Sequence, residues 1–210
     1  MKKKKLFMAV SVVCLVVMTM ITAFAYFTKV SNSRDNTLTI GYDSVEISEE
    51  FTPPEKQTEV TSYKKAVSVK NNGTVPCFAR VYVDFSDSDI RDISYFSQSD
   101  SSEYYSATRD KNNAAAYINH LPDGWVFVAE NENSPLSGYY YYTKAIEPDD
   151  SSALLFSYVK TDYTQSDIGI RQYDIIVYAE SLQTVTQDSK DHSNEPDGWR
   201  TAWMEFLSEE

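Results

Sequence analysis

The sequence predicts an all-β protein: a jelly-roll-like β-sandwich with a short C-terminal helix and an N-terminal signal helix. Short segments of alternating apolar and polar residues recur along the chain, and turns rich in Asn, Asp, Gly and Pro separate them. Aromatic residues make up 14% of the chain and include 16 tyrosines, which are typical of strands and argue against an acidic disordered chain. Beyond the apolar leader, helical spacing of apolar residues occurs only near the C-terminus.

The first 25 residues are predicted to be a secretory signal peptide. Four lysines, residues 2–5, precede an apolar stretch over residues 6–24, and Ala23 and Ala25 supply the small residues that a signal peptidase recognises. Cleavage after Ala25 leaves Tyr26 as the new N-terminus of a secreted, extracellular or surface-located chain. The alternative is a retained membrane anchor, because about 20 apolar residues are enough to span a bilayer.

The rest of the chain divides into three predicted parts. Residues 26–36 form a short polar arm, residues 37–185 form the β-sandwich domain, and residues 186–210 form a polar tail that carries an amphipathic helix. Helical spacing in the tail relates Trp199, Trp203, Phe206 and Leu207. We expect this helix to pack on the core; the alternative is that it docks onto another subunit or surface.

Seven segments are predicted to be strands. They are residues 37–42, 65–70, 76–85, 125–129, 138–144, 153–160 and 170–184. The turn sequence Asn71–Thr74 predicts a hairpin between the second and third of them, since Asn and Gly accept the positive φ that tight turns need. The last strand has apolar residues on both faces and is predicted to be central in a sheet. Residues 48–61, which contain two prolines, are predicted to be a loop.

The segment after the third predicted strand is rich in serine and aspartate and is predicted to have little regular structure. Asp84, Asp87, Asp89 and Asp92 form an acidic cluster at its start, for which a loosely bound calcium ion and a solvated loop are the two interpretations. An EF-hand does not fit, because the fifth and sixth positions counted from Asp87 hold Arg91 and Asp92.

The sequence predicts no catalytic, metal or cofactor site. His120 and His192 belong to no His-Glu-x-x-His motif, and no Gly-x-Ser-x-Gly motif occurs, so the signatures of zinc proteases and serine hydrolases are missing. Both histidines are predicted to be exposed in loops. Cys77 faces inward on a predicted strand, where a cysteine behaves as a small apolar residue. Cleavage would remove Cys14 and leave Cys77 without a disulfide partner in its own chain.

The charge of the chain restricts its partners. It carries 31 Asp+Glu against 19 Lys+Arg, a net charge of −12. Such a surface repels phosphate backbones and anionic lipid head groups. We therefore expect no nucleic-acid partner, and membrane contact only through the leader if the leader is retained.

Several short segments together resemble a known family. They are residues 25–28, 69–76, 78–81, 138–144, 146–148, 154–156 and 173–183. In this order they resemble the TasA/camelysin family of Gram-positive surface and biofilm-matrix proteins, whose signal peptides are of the SipW-dependent type. The sequence departs from the family pattern at Asp149, where Gly is frequent, and at Ser181, where Ala is usual. The resemblance implies a jelly-roll fold and a structural role.

The resemblance also implies a mode of assembly and a set of partners. In fibre-forming members an N-terminal strand is donated to the next subunit. The segment that would play this part is Tyr26, Phe27, Thr28, Lys29 and Val30. The implied partners are other copies of the chain, in a homo-oligomer or fibre, and signal peptidase during export.

Three hypotheses about function follow. The first is a non-enzymatic structural or adhesive protein of the cell surface or biofilm matrix that self-assembles. The second is a surface binding module for carbohydrate or protein, which would use exposed aromatic residues such as Tyr139–Tyr142 and Trp125. The third is a secreted metalloprotease, as described for camelysin, against which the missing ligand motif argues.

Overall fold

The computed structural model describes residues 42–100, 105–107, 121–130, 134–186 and 189–208. These residues form two antiparallel sheets and a short C-terminal helix, which confirms the predicted all-β sandwich. The predicted signal peptide and N-terminal arm, nearly all of the first predicted strand and His120 lie outside the described residues.

The strands follow one another along the chain as β1 Val45–Phe51, β2 Val60–Asn71, β3 Cys77–Phe85, β4 Ser94–Ser97, β5 Tyr105–Ser106, β6 Trp125–Val128, β7 Tyr139–Tyr142, β8 Phe156–Asp162 and β9 Ile175–Gln183. The helices are α1 Ser88–Asp92, a 3-10 turn Tyr163–Gln165 and α2 Gly198–Ser208. Sheet A has the strand order β1-β2-β8-β4-β5, and sheet B has the order β6-β7-β3-β9.

The strand pairing is nested, as in a jelly roll. Strand β2 pairs with β8, β3 pairs with β7, and β4 pairs with β5, all antiparallel. The chain passes from one sheet to the other after β2, β3, β5, β7 and β8. These crossings make the sandwich jelly-roll-like rather than two separate meanders.

The predicted hairpin at Asn71–Thr74 is wrong, because β2 belongs to sheet A and β3 to sheet B. The buried side chain of Asn71 holds this crossing: its amide donates to the carbonyl oxygens of Val75 at 2.9 Å and Ile146 at 2.8 Å. Its own oxygen accepts the backbone N–H of Gly73 at 2.8 Å. The Asn-Gly sequence therefore stabilises a connection between sheets instead of a tight turn within one.

Two other predictions about strands are also wrong. Part of the loop predicted over residues 48–61 is strand β1, whose Val45 and Ile47 pack against the core, while Glu49 and Glu50 interrupt the alternation after them. Among the described strands, β9 lies at an edge of sheet B and not in its centre. On its outer face Ile176 is 49% exposed and Tyr178 is 40% exposed, whereas Leu182 packs against the cluster that contains Trp199 and Trp203.

The main core lies between the inner faces of the two sheets. Strand β3 contributes the alternating residues Cys77, Ala79, Val81, Val83 and Phe85. In sheet A, the rings of Phe96 and Phe156 stack with their centroids 4.3 Å apart. Cys77 is fully buried, as predicted.

The outer face of sheet B is partly covered by α2. Trp199 and Trp203 are buried, and their ring centroids lie 5.0 and 6.0 Å from that of Tyr141. A Cβ atom on Gly198 would lie 2.0 Å from the carbonyl oxygen of His192, so only glycine permits this approach at the start of the helix. Packing on the core, the expected role of the predicted C-terminal helix, is confirmed.

The packing of α2 predicts unequal effects of two adjacent substitutions. Trp203→Ala should lower the free energy of unfolding by roughly 3–5 kcal/mol, because it leaves a cavity against sheet B. Met204→Ala, at a position that is 40% exposed, should change it by less than about 0.5 kcal/mol. Urea denaturation followed by circular dichroism measures both values, and equal effects would mean that α2 does not pack through Trp203.

Candidate interaction surface on sheet B

The edges of the two sheets are where another strand can be added. Among the described strands, β1 and β5 lie at the edges of sheet A, and β6 and β9 lie at those of sheet B. Strand β5 has two residues and β6 has four, whereas β1 has seven and β9 has nine. Only β1 and β9 are therefore long enough to offer an extended row of backbone groups.

Strand β1 is protected by charge. It carries Glu46, Glu49 and Glu50, and the last two pair with Lys65 and Lys64 at 2.6 Å each. Charged side chains on an edge strand discourage a second chain from pairing with it, because the incoming strand must accommodate and desolvate them. The edge of sheet A is therefore poorly suited to strand addition.

Strand β9 has the opposite character. It pairs with β3 without interruption from Ile175 opposite Phe85 to Gln183 opposite Cys77, and β3 is its only partner among the described strands. Its single charged residue is Glu180, which forms an ion pair with Arg80. No described strand forms a ladder with the other side of β9, although β1 approaches β9 and Ser181 donates a hydrogen bond to a carboxylate oxygen of Asp43 at 2.7 Å. An edge strand of low charge is suited to pairing.

Arg80 organises the surface beside this edge. Its guanidinium lies between two rings, with its carbon 4.1 Å from the centroid of Tyr139 and 4.3 Å from that of Trp203. It donates hydrogen bonds to Glu180 and, at 3.5 Å, to the hydroxyl of Tyr141. Burial alone would lower the pKa of Arg80, but the hydrogen bonds with Tyr141 and Glu180 outweigh it and raise the pKa. The cation is thus permanently charged and held by four side chains.

Beyond Arg80, three tyrosines form what we call the tyrosine cluster: Tyr82, Tyr139 and Tyr178. Tyr82 lies 5.7 Å from Tyr139 and 5.6 Å from Tyr178, measured between ring centroids. The hydroxyls of Tyr139 and Tyr178 are 2.8 Å apart, and that of Tyr178 donates to Glu180 at 3.0 Å. Burial, followed by the hydrogen bonds with Tyr139 and Glu180, raises the pKa of Tyr178. The cluster therefore presents neutral phenols and ring surfaces beside β9.

The structure brings only one of the predicted binding aromatics to this surface. Trp125 is buried, and its indole N–H donates to the carbonyl of Ala153 at 2.9 Å. Tyr140 and Tyr142 face the main core, and Tyr141 is buried under α2. Tyr139–Tyr142 is thus mainly a packing strand. The prediction that these residues and Trp125 are exposed is wrong, because Tyr139 is half-buried and the other four are buried.

Sequence reasoning missed Tyr82 and Tyr178 as partners of Tyr139. The signal was present in the alternation of β3 and β9, which places Tyr82 on the same face as Arg80, and Tyr178 on the same face as Glu180. This alternation could not identify an exposed face, because the apolar residues on both faces of β9 predict a strand in the middle of a sheet. The pairing of Arg80 with Glu180 across the two strands is what identifies the shared outer face.

Two arginines form ion pairs with the four aspartates of the acidic segment Asp84–Asp92. The ion pairs join Asp84 to Arg91 at 3.3 Å, Asp92 to Arg91 at 3.1 Å, Asp87 to Arg171 at 2.6 Å and Asp89 to Arg171 at 3.2 Å. Asp87 also caps α1, and its hydrogen bond with Arg171 lowers its pKa. Across the part of the chain that the structure describes, no cluster of three or more His, Cys, Asp or Glu residues is arranged to hold a metal ion.

His192 is not exposed, contrary to the prediction. Its side chain is fully buried, with Nδ1 2.8 Å from a carboxylate oxygen of Glu195 and Nε2 3.2 Å from the hydroxyl of Thr186. Nε2 also lies 3.6 Å from a carboxylate oxygen of Glu205 on α2. The polar composition of the tail concealed this role: the histidine joins the segment that follows β9 to the helix.

Comparison of the chain with protein-family models gives no match, and comparison with curated proteins gives none either. Within the ranges that the structure covers, none of the helices has the length and apolar composition needed to cross a bilayer.

The contacts of Glu195 predict a change of stability with pH. Hydrogen bonds from His192 and then Lys190 lower the pKa of Glu195 in the folded chain. Its contribution to stability is therefore complete above its unfolded pKa, near 4.5, and is lost as the pH falls through the lower folded value. Glu195→Gln should destabilise the protein at pH 7, and the difference from the unsubstituted chain should shrink below pH 4.5.

Urea denaturation at several pH values tests this expectation. Glu55→Gln, at an exposed position in the connection between β1 and β2, is the control and should change stability by less than about 0.5 kcal/mol at any of these pH values. A constant effect of Glu195→Gln from pH 7 to pH 3 would show that its carboxylate charge does not stabilise the fold.

Proposed function

We propose that this chain is a non-enzymatic, secreted structural or adhesive protein of the cell surface or biofilm matrix, and that it self-assembles by strand addition. The observation that carries the proposal is the edge strand β9, which is nine residues long, has one charged residue and pairs with a described strand on one side only. An added strand gains a row of backbone hydrogen bonds without any change in the acceptor sheet.

The proposed donor is the segment Tyr26–Val30 of a neighbouring copy. Its alternation of aromatic, polar and apolar residues suits a strand, and Lys29 brings a positive charge to an acidic chain. Cleavage after Ala25 would free this segment at the new N-terminus. The resemblance to the TasA/camelysin family supports the same mode of assembly, and it also supports export from a Gram-positive cell.

Two buried groups support a function without catalysis. Burial, followed by the charges of Asp43 and Glu147, raises the pKa of Cys77 to about 12, so its thiol is not a nucleophile at neutral pH. The described histidine, His192, is occupied by the contacts that hold the tail. Both groups are therefore used in packing and structure.

Assembly of the mature chain, residues 26–210, tests the proposal. We compare it with an arm-blocked chain that carries Phe27→Pro and Lys29→Pro, since proline lacks the N–H that a ladder requires. The mature chain should form polymers visible by electron microscopy, and the arm-blocked chain should form none. A mature chain that stays unpolymerised at high concentration, or an arm-blocked chain that polymerises equally well, would falsify strand donation.

The tyrosine cluster favours a second candidate function, the binding of a neutral carbohydrate. Aromatic rings pack against the apolar faces of sugars, and the hydroxyls of Tyr139 and Tyr178 and the carboxylate of Glu180 lie at the ring edges. The net charge of −12 argues against anionic glycans.

A glycan array decides whether this second function holds. Tyr178→Ala should lower the affinity for any bound neutral glycan by roughly tenfold, because it removes one ring from the cluster. Tyr42→Ala, which removes an exposed tyrosine outside both sheets, should leave binding unchanged. Equal losses in the two variants, or no binding by the unsubstituted chain, would count against the tyrosine cluster as a sugar site.

A further inference from the structure

We propose that Tyr139 and Tyr178 form an oxidative cross-linking site, at which a peroxidase-type oxidant that consumes hydrogen peroxide joins the two rings as dityrosine. The site goes beyond the proposed function and does not depend on assembly, because both residues belong to one chain. The observation that carries it is the contact between the two phenols, whose hydroxyl oxygens are 2.8 Å apart. The bond would link strand β7 to strand β9 across β3.

The two rings meet at the ends that react. Their centroids are 6.3 Å apart and their planes are inclined by 78°, whereas the oxygens are separated by only 2.8 Å, so the hydroxyl ends face each other. When a phenol loses an electron and a proton, the unpaired electron is shared by the oxygen and the ring carbons beside it. These carbons are the ones that a dityrosine bond joins, and they lie at the ends of the rings that are in contact.

The span between the two strands suits a pair of tyrosines. Strand β3 lies between β7 and β9, so the backbones of these two strands are about 9.6 Å apart, whereas the Cα atoms of a disulfide are at most about 7 Å apart. Two tyrosine side chains extend farther from the backbone than two cysteines do. They meet here beside the ring of Tyr82, whose hydroxyl donates to Asp84 at 3.1 Å.

Glu180 provides the proton acceptor that this oxidation needs. The hydroxyl of Tyr178 donates to one carboxylate oxygen of Glu180 at 3.0 Å, while the other oxygen accepts from Arg80. Because the pKa of Tyr178 is raised, by burial first, its phenol is protonated at neutral pH and must release its proton as the electron leaves. The hydrogen bond passes this proton to the carboxylate and then to water. Tyr178 is 40% exposed, so an oxidant in solution reaches it.

The reaction balances as two one-electron oxidations followed by a coupling. Tyr178 first loses an electron and a proton, and the hydrogen atom of the Tyr139 hydroxyl then passes to Tyr178 across their contact, which leaves the radical on Tyr139. A second oxidation of Tyr178 gives two adjacent phenoxyl radicals. They pair to form one carbon–carbon bond, and the hydrogens on the joined carbons move to the oxygens as the rings regain aromaticity. In total the chain loses two electrons and two protons, which one hydrogen peroxide takes up to form two waters.

A second pair of tyrosines provides an internal comparison. The hydroxyls of Tyr63 and Tyr173 are 3.0 Å apart, nearly as close as those of Tyr139 and Tyr178. Tyr63 is buried, and the hydroxyl of Tyr173 also contacts that of Thr161 at 2.7 Å. We expect this pair to react far more slowly, because the oxidant does not reach Tyr63 and the hydrogen bonds of both phenols are to hydroxyls instead of a carboxylate.

Peroxidase treatment of the mature chain, residues 26–210, tests the inference. At low protein concentration and with equimolar hydrogen peroxide, the chain should gain the fluorescence of dityrosine and keep the mass of a single chain less two hydrogens. Peptide mapping should give one cross-linked peptide that contains residues 139 and 178. Tyr139→Phe and Tyr178→Phe should each lower the yield of intramolecular dityrosine at least tenfold, and Tyr63→Phe, the matched control, should leave it unchanged.

Phenylalanine keeps the ring and its packing, so circular dichroism should show that all three variants are folded. The cross-linked chain should also have a Tm roughly 5–10 °C above that of the untreated chain, because the bond closes a loop in the unfolded state. An absence of intramolecular dityrosine in the unsubstituted chain, or an equal yield in Tyr178→Phe, would overturn the inference. Neither result would affect the fibre test, in which no oxidant is present.

Discussion

The position of Arg80 determines which parts of sheet B are covered and which are open. Its backbone lies directly between Tyr141 of β7 and Glu180 of β9, so its side chain is fixed from both neighbouring strands. Its guanidinium stacks between Tyr139 and Trp203, and contacts of this kind contribute about 0.5–2 kcal/mol each. The buried indole N–H of Trp203 has no hydrogen-bond partner among the described groups, so α2 is held here through packing and this cation. One arginine thus joins the helix, the middle of sheet B and the edge strand.

This arrangement leaves β3 buried on both faces and β9 buried on one. The inner face of β3 packs in the main core, and its outer face lies against α2 through Phe78. The helix does not reach as far as Ile176 and Tyr178, which remain exposed. The one charged residue of β9, Glu180, forms an ion pair with Arg80. The interaction that stabilises the helix therefore also pairs the one charged residue of β9, whereas β1 carries three glutamates.

Which structural features could be predicted from the sequence depends on whether the residues in contact are close together or far apart along the chain. The alternation in β3 is local, so the strand and the inward position of Cys77 were predictable. The partners of a strand are not local: Asn71-Asn72-Gly73 has the residues of a hairpin turn, but the side chain of Asn71 reaches carbonyls across the two sheets instead. His192 was taken for an exposed residue because its neighbours are polar, although two carboxylates and a threonine hydroxyl surround it. Such sites require contacts between distant segments, which no pattern of spacing reveals.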